Sequence, residues 1–215
     1  MEESAYKPMA NRAYDYLFEK IVTCAYPPGL ALNEKQLLEE NSSFGRTPLR
    51  EALLRLQRDG LIEIFPRKGM RIPEFTEKQV KDIYQTRKLL EPPMAEEYRS
   101  MLSKVKLLDF QKQFAQSGSL DSFSRFQLDY AFHTYLISAS ENEILMNMYK
   151  SLMVQQIHLA MFTALQIDAD IEEDLRQHTA IIDALLRENK KDIRDSITIH
   201  LNFSLVRSME ALHFD

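Results

Sequence analysis

The spacing of apolar residues predicts helices followed by a hairpin in the first part of the chain. A first helix face is marked by Tyr14, Leu17, Phe18, Ile21 and Val22. This helix is expected to end at Pro27, because proline lacks a backbone donor and clashes with a continuing turn. A second, short helix over residues 34–40 can be capped by Asn33.

A third helix is predicted to begin near Pro48, because an N–H in the first turn has no hydrogen-bond partner within the helix and its absence costs no bond. Its apolar positions follow the i, i+3, i+4, i+7 pattern at Leu49, Ala52, Leu53 and Leu56. After Gly60 the pattern becomes that of two strands around a polar tip at 66–69, with apolar Leu61, Ile62, Ile64 and Ile72. The first part of the chain therefore reads as three helices and a hairpin.

Beyond a boundary at about residues 73–76, the pattern is helical almost throughout. Six helices are predicted, at about 77–101, 103–115, 121–138, 141–166, 170–188 and 190–212. Pro92 and Pro93 are expected to kink or split the first of these helices. The sequence thus predicts a mainly α protein with two domains, residues 1–75 and 76–215, and the second domain is expected to be an all-α bundle.

Composition narrows the class of protein. Of the 215 residues, 45% are apolar and 27% are charged, with 5 Gly and 8 Pro, which excludes disordered and fibrous chains. The apolar runs are far shorter than the roughly 18 to 20 residues that span a bilayer, and the N-terminus has no apolar signal core. We therefore expect a cytoplasmic protein with no membrane partner.

Charge is distributed unevenly around a net value of −5. Between residues 44 and 72, three acidic side chains are outnumbered by seven basic ones, namely Arg46, Arg50, Arg55, Arg58, Arg67, Lys68 and Arg71. Such a local excess in an acidic chain is typical of a nucleic-acid-binding surface.

The segment GRTPLREALLRLQRDGLI carries the strongest functional signal. At the N-terminal end of the third helix it places Arg46, Thr47 and Arg50. Free backbone N–H groups at such an end favour phosphate, and arginine there can bond guanine in the major groove. The basic turn that follows, which could reach phosphates or the minor groove, consists of Arg67, Lys68 and Gly69. A surface helix with solvated arginines is the alternative reading.

The order of these motifs resembles the winged helix-turn-helix of the GntR family of bacterial transcription regulators. The shared features are PPG before the second helix, N-E-x-x-L-x-E, RTPLREAL-x-RL-x-x-x-GLI and a basic, glycine-containing wing, over about residues 11–73. The resemblance implies binding to a double-stranded DNA operator. It implies operator contacts from the helix residues Arg46, Thr47 and Arg50 and from the wing residues Arg67, Lys68 and Gly69.

The five histidines all follow residue 130, and three of them lie on apolar helix faces. Asp129 and His133 stand at i and i+4, so both can reach one cation. His178 and His200 belong to apolar stripes of later helices. One inward histidine is usually a hydrogen-bonded core residue, whereas a divalent metal would satisfy all four groups, and their donors suit zinc, nickel, manganese or iron. Spacing alone leaves both interpretations open. His158 is interpreted as a packing residue and His213 as a surface residue.

The same residues resemble the FCD effector domain of the FadR-type branch of GntR regulators. The marks are D-x-x-F-H ending at His133, H-x-x-I beginning at His178, and a late histidine, His200, followed by leucine. The resemblance implies a divalent metal in the bundle cavity, bound by Asp129, His133, His178 and His200, with a small organic acid as effector at or beside it. A Y-x-x-R-x-x-L-E pattern makes Arg87 a candidate for an effector-pocket charge. Six helices fit the shorter, VanR-like form.

Three functions are compatible with these residues. The first is a regulator that acts as a homodimer on a palindromic operator and senses a small carboxylate. The second is a helical-bundle metalloenzyme with an accessory nucleic-acid module. The third is a protein in which the metal only stabilises the fold and no ligand is sensed. The regulator is favoured and no enzyme is expected, because the chain has no HExxH motif and no recognisable Ser/His/Asp or Cys/His arrangement.

Overall fold

The computed structural model describes residues 8–168 and 170–214. These residues form two compact units, one that ends at Glu74 and one that begins at Phe75. The predicted division lies one residue later, and residues 1–7, 169 and 215 of the predicted domains fall outside the described residues. The prediction of a mainly α fold is confirmed.

The first unit combines helices with a small sheet. Its elements are α1 (Met9–Val22), β1 (Ala31–Leu32), α2 (Glu34–Glu40), α3 (Arg46–Arg58), β2 (Glu63–Phe65) and β3 (Gly69–Arg71). The strands have the order β1-β3-β2, with both pairs antiparallel. The β2-β3 hairpin confirms the predicted one, whereas β1 was not predicted, because two residues are too few to show an alternating pattern.

Polar and apolar contacts hold α3 against α1. Leu49, Ala52, Leu53 and Leu56 of α3 are buried, as the helical spacing predicted. Arg55 Nη1 donates to Asn11 Oδ1 at 2.7 Å, and its guanidinium lies 4.1 Å from the centre of the Tyr14 ring. The Tyr14 hydroxyl donates in turn to Asp59 Oδ2 at 2.7 Å. One face of α3 is therefore used for packing, and its other face remains exposed.

The second unit is a helical bundle. Its α-helices among the described residues are α4 (Glu77–Glu97), α5 (Lys104–Ala115), α6 (Ser122–Ser138), α7 (Glu143–Gln166), α8 (Ile171–Leu186) and α9 (Lys190–Ala211). The helix α4 packs along α9, α6 packs along α7, and α8 packs against both α5 and α9. The six predicted helices are confirmed, with bounds that differ by a few residues. Within the part of the chain that the structure describes, no helix is both long and apolar enough to cross a bilayer.

The helix α4 runs unbroken through Pro92 and Pro93, so the predicted split is wrong. The two prolines remove the donors for the carbonyls of Lys88 and Leu89, four residues earlier. Leu89 is 67% exposed, so water can satisfy a carbonyl freed there. The unbroken helix keeps Arg87 and Glu91 one turn apart.

Candidate metal centre and nucleic-acid interface

Three helices of the bundle bring one carboxylate and three imidazoles together. The residues are Asp129 and His133 of α6, His178 of α8 and His200 of α9, and one ligand atom from each lies within 4.8 Å of the others. The distances from Asp129 Oδ1 are 3.4 Å to His133 Nε2, 3.0 Å to His178 Nε2 and 3.9 Å to His200 Nε2. The four residues singled out in the sequence thus converge on one point.

Each imidazole also has an acceptor at its other ring nitrogen. The contacts are His178 Nδ1 to the Asp174 carbonyl (2.9 Å), His200 Nδ1 to Gln177 Oε1 (3.2 Å) and His133 Nδ1 to Glu91 Oε2 (2.8 Å). For His178 and His200 the hydrogen bond at Nδ1 fixes the ring orientation and leaves Nε2 to face the centre of the cluster. Histidines that bind metals are usually held in this way.

Electrostatic interactions within the cluster are strong because it is buried. His133 and His178 are fully buried, and His200 is 2% exposed. Burial disfavours ionised Asp129, but His133 and His178 outweigh it and hold the pKa of this carboxyl well below its ordinary value. Burial likewise opposes a charged His178, yet Asp174 and Asp129 raise its pKa to about 10. The carboxylates therefore favour positive charge on His178, and its extra proton would be released when a metal binds. Burial and the neighbouring His178 and His133 instead lower the pKa of His200 well below its ordinary value.

The donor set fits a divalent ion. Both ring nitrogens of His133 are buried without a hydrogen bond of good geometry among the described residues, although Nδ1 lies close to Glu91. A buried polar group left unsatisfied costs about 1–3 kcal/mol, and a cation in the cluster would remove that penalty at Nε2. Three imidazole nitrogens and a carboxylate oxygen suit zinc, nickel, manganese or iron. An ion that takes more than four ligands, such as nickel, manganese or iron, would keep a coordination position open for an anionic ligand.

Glu91 belongs to the site, although sequence reasoning did not assign it a role. This fully buried carboxylate accepts from Arg87 Nε, from Arg87 Nη2 at 3.3 Å and from the Tyr149 hydroxyl at 2.7 Å. Burial opposes its ionisation, but Arg87 and His133 lower its pKa to about 2. The signal in the sequence was an arginine and a glutamate at i and i+4 on a face that also carries apolar residues.

A cavity of about 120 Å³ lies beside the cluster, with Asp129 and His200 in its wall. The arginines that line it are Arg87, Arg125 and Arg207. Arg87 therefore reaches the predicted pocket, but Glu91 already pairs with it. Another part of the wall is a hydrogen-bonded group in which Gln156 Nε2 donates to the Tyr84 hydroxyl at 3.1 Å.

The two remaining histidines lie apart from the cluster. His158 is buried against Phe75, with ring centroids 4.8 Å apart, and burial lowers its pKa to about 4. His213 is exposed, with Nε2 3.3 Å from Glu77 Oε1. Their interpretations as packing and surface residues are confirmed.

The candidate DNA-contacting residues of α3 are exposed at its N-terminal end. They are Arg46, Thr47 and Arg50. The N-cap is Gly45, which offers no side chain to cap the first turn, so backbone N–H groups there are available to an anion. Arg50 Nε lies 3.0 Å from Glu34 Oε2 of α2, and this contact would have to open for Arg50 to reach a base.

The candidate wing residues form the tip of the β2-β3 hairpin. Arg67, Lys68 and Gly69 are all exposed there. Arg67 has φ +64° and Gly69 has φ +98°, and the Lys68 N–H donates to the Phe65 carbonyl at 3.0 Å. The neighbouring Arg71 is held by Glu63, with Nε 2.8 Å from Oε2. The tip therefore presents two basic side chains with no ion pair among the described residues.

Both units match known protein families. Residues 9–72 match the bacterial regulatory proteins of the gntR family, and residues 82–203 match the FCD domain, which by itself covers more than half of the chain. The chain is 29% identical over 202 residues to the HTH-type transcriptional regulator YdhC of Bacillus subtilis, a match that spans 91% of this chain and 88% of YdhC. It is 26% identical over 201 residues to the HTH-type transcriptional repressor RspR of Escherichia coli, spanning 91% of this chain and 86% of RspR.

A solved structure supports the fold. The structure of E. coli McbR/YncC aligns with a TM-score of 0.77 at 20% identity, covering 95% of this chain and 98% of that one. The families and the named relatives are those of transcription regulators and not of enzymes, which argues against the metalloenzyme alternative. The chain is a member of the GntR family of bacterial transcription regulators, with an FCD domain as its second unit.

Proposed function

We propose that this regulator binds a divalent metal ion through Asp129, His133, His178 and His200, and that a small organic acid bound at or beside the ion changes its affinity for an operator. The observation that carries the proposal is the convergence of three Nε2 atoms on Asp129 Oδ1, next to a cavity. A carboxylate effector suits this position, because the ion and the arginines of the cavity wall both attract anions.

The DNA-binding part of the proposal depends on the first unit. Arg46, Thr47 and Arg50 would contact the operator from α3, and Arg67, Lys68 and Gly69 would contact it from the wing. A homodimer would place two such readers on the halves of a palindromic operator, which increases specificity without a larger domain. Because a bacterial operator lies on DNA in the cytoplasm, the proposal includes a cytoplasmic location.

The residues of α4 supply a physical route by which the site can influence the rest of the bundle. Arg87 lines the cavity, Glu91 binds Arg87 and orients His133, and all three are buried. An anion in the cavity would compete with Glu91 for Arg87 and so change a contact that also holds a metal ligand. A coupling of about 1–3 kcal/mol is enough to alter operator occupancy five- to 150-fold.

A selected duplex would test the proposal. Operator DNA would be isolated by retention from a random-sequence library, and its affinity measured by fluorescence anisotropy with protein loaded with Zn²⁺ or Mn²⁺ and with protein treated with a chelator. We expect at least one small carboxylate to change the Kd five-fold or more for the loaded protein alone. Substitution His178→Ala should abolish this response, while the matched exposed-histidine variant His213→Ala should keep it.

Other outcomes would reject separate parts of the proposal. An effector response that survives chelation would remove the metal from sensing and favour a structural ion or none. If no sequence is enriched from the library, the operator contacts assigned to α3 and the wing are wrong.

A further inference from the structure

Two of the three arginines in the cavity wall have no carboxylate within hydrogen-bond distance among residues 8–168 and 170–214. Arg125 donates to the Leu120 carbonyl and to Ser122 Oγ, each at 3.0 Å. Arg207 donates to the Asp168 carbonyl, and its Nη1 lies 3.8 Å from Glu210 Oε2. These contacts orient the guanidinium groups. In the described structure Arg125 pairs with no carboxylate, and Arg207 forms only the long ion pair with Glu210, whose side chain is 55% exposed. Arg87 differs, because Glu91 neutralises it.

The acidic residues of the cavity wall are engaged elsewhere. Asp170 Oδ1 accepts from the Glu173 N–H at 3.0 Å and caps α8. Asp174 Oδ2 lies 3.5 Å from His178 Nδ1. Neither forms an ion pair with Arg125 or Arg207 in the described structure, so both arginines keep the capacity to bind an anion.

The two arginines are displaced from the metal cluster along the same helices that carry its ligands. Arg125 precedes Asp129 by four residues on α6, and Arg207 follows His200 by seven residues on α9. At 1.5 Å per residue these offsets correspond to roughly 6 and 10 Å along the helix axes. A ligand held by charge at both the cluster and the guanidinium groups would therefore carry two separated anionic groups.

From this arrangement, and resting on the proposed function, we infer that the effector is a small dicarboxylate. One carboxylate would meet the cation held by Asp129 and the three histidines, and the other would bind Arg125 and Arg207. The planar guanidinium group matches a carboxylate with two parallel hydrogen bonds, which favours this anion. The volume of about 120 Å³ is well below the roughly 300–1,000 Å³ of pockets for drug-sized ligands, so the second carboxylate lies only a few carbons from the first.

Isothermal titration calorimetry on the full chain loaded with Zn²⁺ would test the inference with ligands matched in length. Succinate would be compared with butyrate, and glutarate with pentanoate. We expect at least one dicarboxylate to bind ten-fold or more tightly than its monocarboxylate partner. Arg125→Gln and Arg207→Gln should each reduce this preference, because they weaken binding of the dicarboxylate more than binding of its monocarboxylate partner. Arg187→Gln, a matched substitution of an exposed arginine at the end of α8, should preserve the preference.

Each result separates this inference from the proposed function. Equal affinities within both ligand pairs, or a preference that neither arginine variant changes, would overturn the inference that the effector is a dicarboxylate. The proposed function as a sensor of a carboxylate would remain. Failure of every carboxylate to bind the loaded protein would overturn both. An arginine variant could lose its fold, which circular dichroism would detect. The comparison of matched ligands on the unaltered protein would then still test whether a dicarboxylate is preferred.

Discussion

Some arginines of the first unit are exposed and unpaired among the described residues, whereas Arg87 of the second unit is buried and paired with a carboxylate. At the end of α3 and at the tip of the wing, Arg46 and Arg67 are exposed and form no ion pair among the described residues. In the bundle, Arg87 is 1% exposed and is paired with the fully buried Glu91. Water stabilises the first kind of charge, whereas protein groups must stabilise the second.

This difference predicts where substitutions will act. Removing an exposed arginine leaves no buried group unsatisfied, so it should change DNA binding and spare the fold. Removing one member of the buried network leaves its partner without compensation in a low dielectric, so it should change stability first. Four substitutions test this division, beginning with the largest expected effect.

Glu91→Gln should lower the free energy of unfolding by about 3–5 kcal/mol, because it leaves the Arg87 guanidinium buried without a counterion. Urea denaturation of the metal-free protein would measure the change. Glu96→Gln is the matched control on the same helix, since Glu96 pairs with the largely exposed Arg194 at 2.6 Å. That control should cost less than about 1 kcal/mol. Equal losses from both variants would show that burial does not determine the value of these ion pairs.

His158 tests the buried side of the comparison through pH. Burial lowers its pKa to about 4, below the ordinary value of 6.5, so the folded protein resists its protonation. The unfolded chain therefore gains the proton first as pH falls, and stability is lost between about pH 6.5 and 4, by up to about 3 kcal/mol. Above pH 6.5 this contribution is fully retained.

The measurement for His158 is a difference between two proteins. The free energy of unfolding of the unaltered chain and of His158→Leu would be followed from pH 7.5 to 4. Their difference should shift in favour of His158→Leu as pH falls, since leucine cannot be protonated. His213→Leu, which changes an exposed histidine, should show a much smaller shift. A constant difference across the range would mean that His158 is not held neutral by burial.

The sequence was informative where neighbours along the chain determine the structure. The helices followed from apolar spacing, and α2 has its predicted bounds because Asn33 Oδ1 accepts from the Lys35 N–H at 2.8 Å. The four cluster residues could be chosen from their residue types and from a family resemblance. Their convergence could not be derived from spacing, because Asp129 and His200 are 71 positions apart and meet only through the packing of the bundle.

The missed features depend on tertiary contacts. The role of Glu91 requires that α4 bring it to His133 of another helix, and no local pattern specifies that contact. The strand β1 exists because Ala31 and Leu32 pair with the hairpin strand β3. The prolines of α4 illustrate the opposite error, since a strong local rule allowed a split of the helix that the structure does not have, and the exposed position of Leu89 lets water satisfy a freed carbonyl.

Arg46→Ala tests the exposed side of the comparison. Loss of a base contact should weaken operator binding by about 1–3 kcal/mol, or roughly five- to 150-fold. The free energy of unfolding should stay within about 0.5 kcal/mol of the unaltered value, as expected for a surface position. Anisotropy with the selected duplex and urea denaturation would measure the two effects. Arg58→Ala, at the exposed C-terminal end of the same helix, should leave the operator Kd nearly unchanged, and an equal loss would indicate a nonspecific charge effect.

Arg67→Gly has the smallest expected effect. It should weaken DNA binding while slightly raising the free energy of unfolding. Arg67 adopts φ +64°, a left-handed conformation that costs an L-residue about 1–2 kcal/mol and that glycine adopts freely. Because glycine also loses more entropy on folding, the net gain in stability should be below about 1 kcal/mol.

Removing one phosphate contact should lower the slope of log K against log salt by about 0.9, measured by anisotropy at several KCl concentrations. Arg67→Ala should show the same change in slope without the gain in stability. An unchanged slope for both variants would show that the wing does not contact the DNA backbone through this residue, and equal stabilities would show that the left-handed conformation of Arg67 carries no cost.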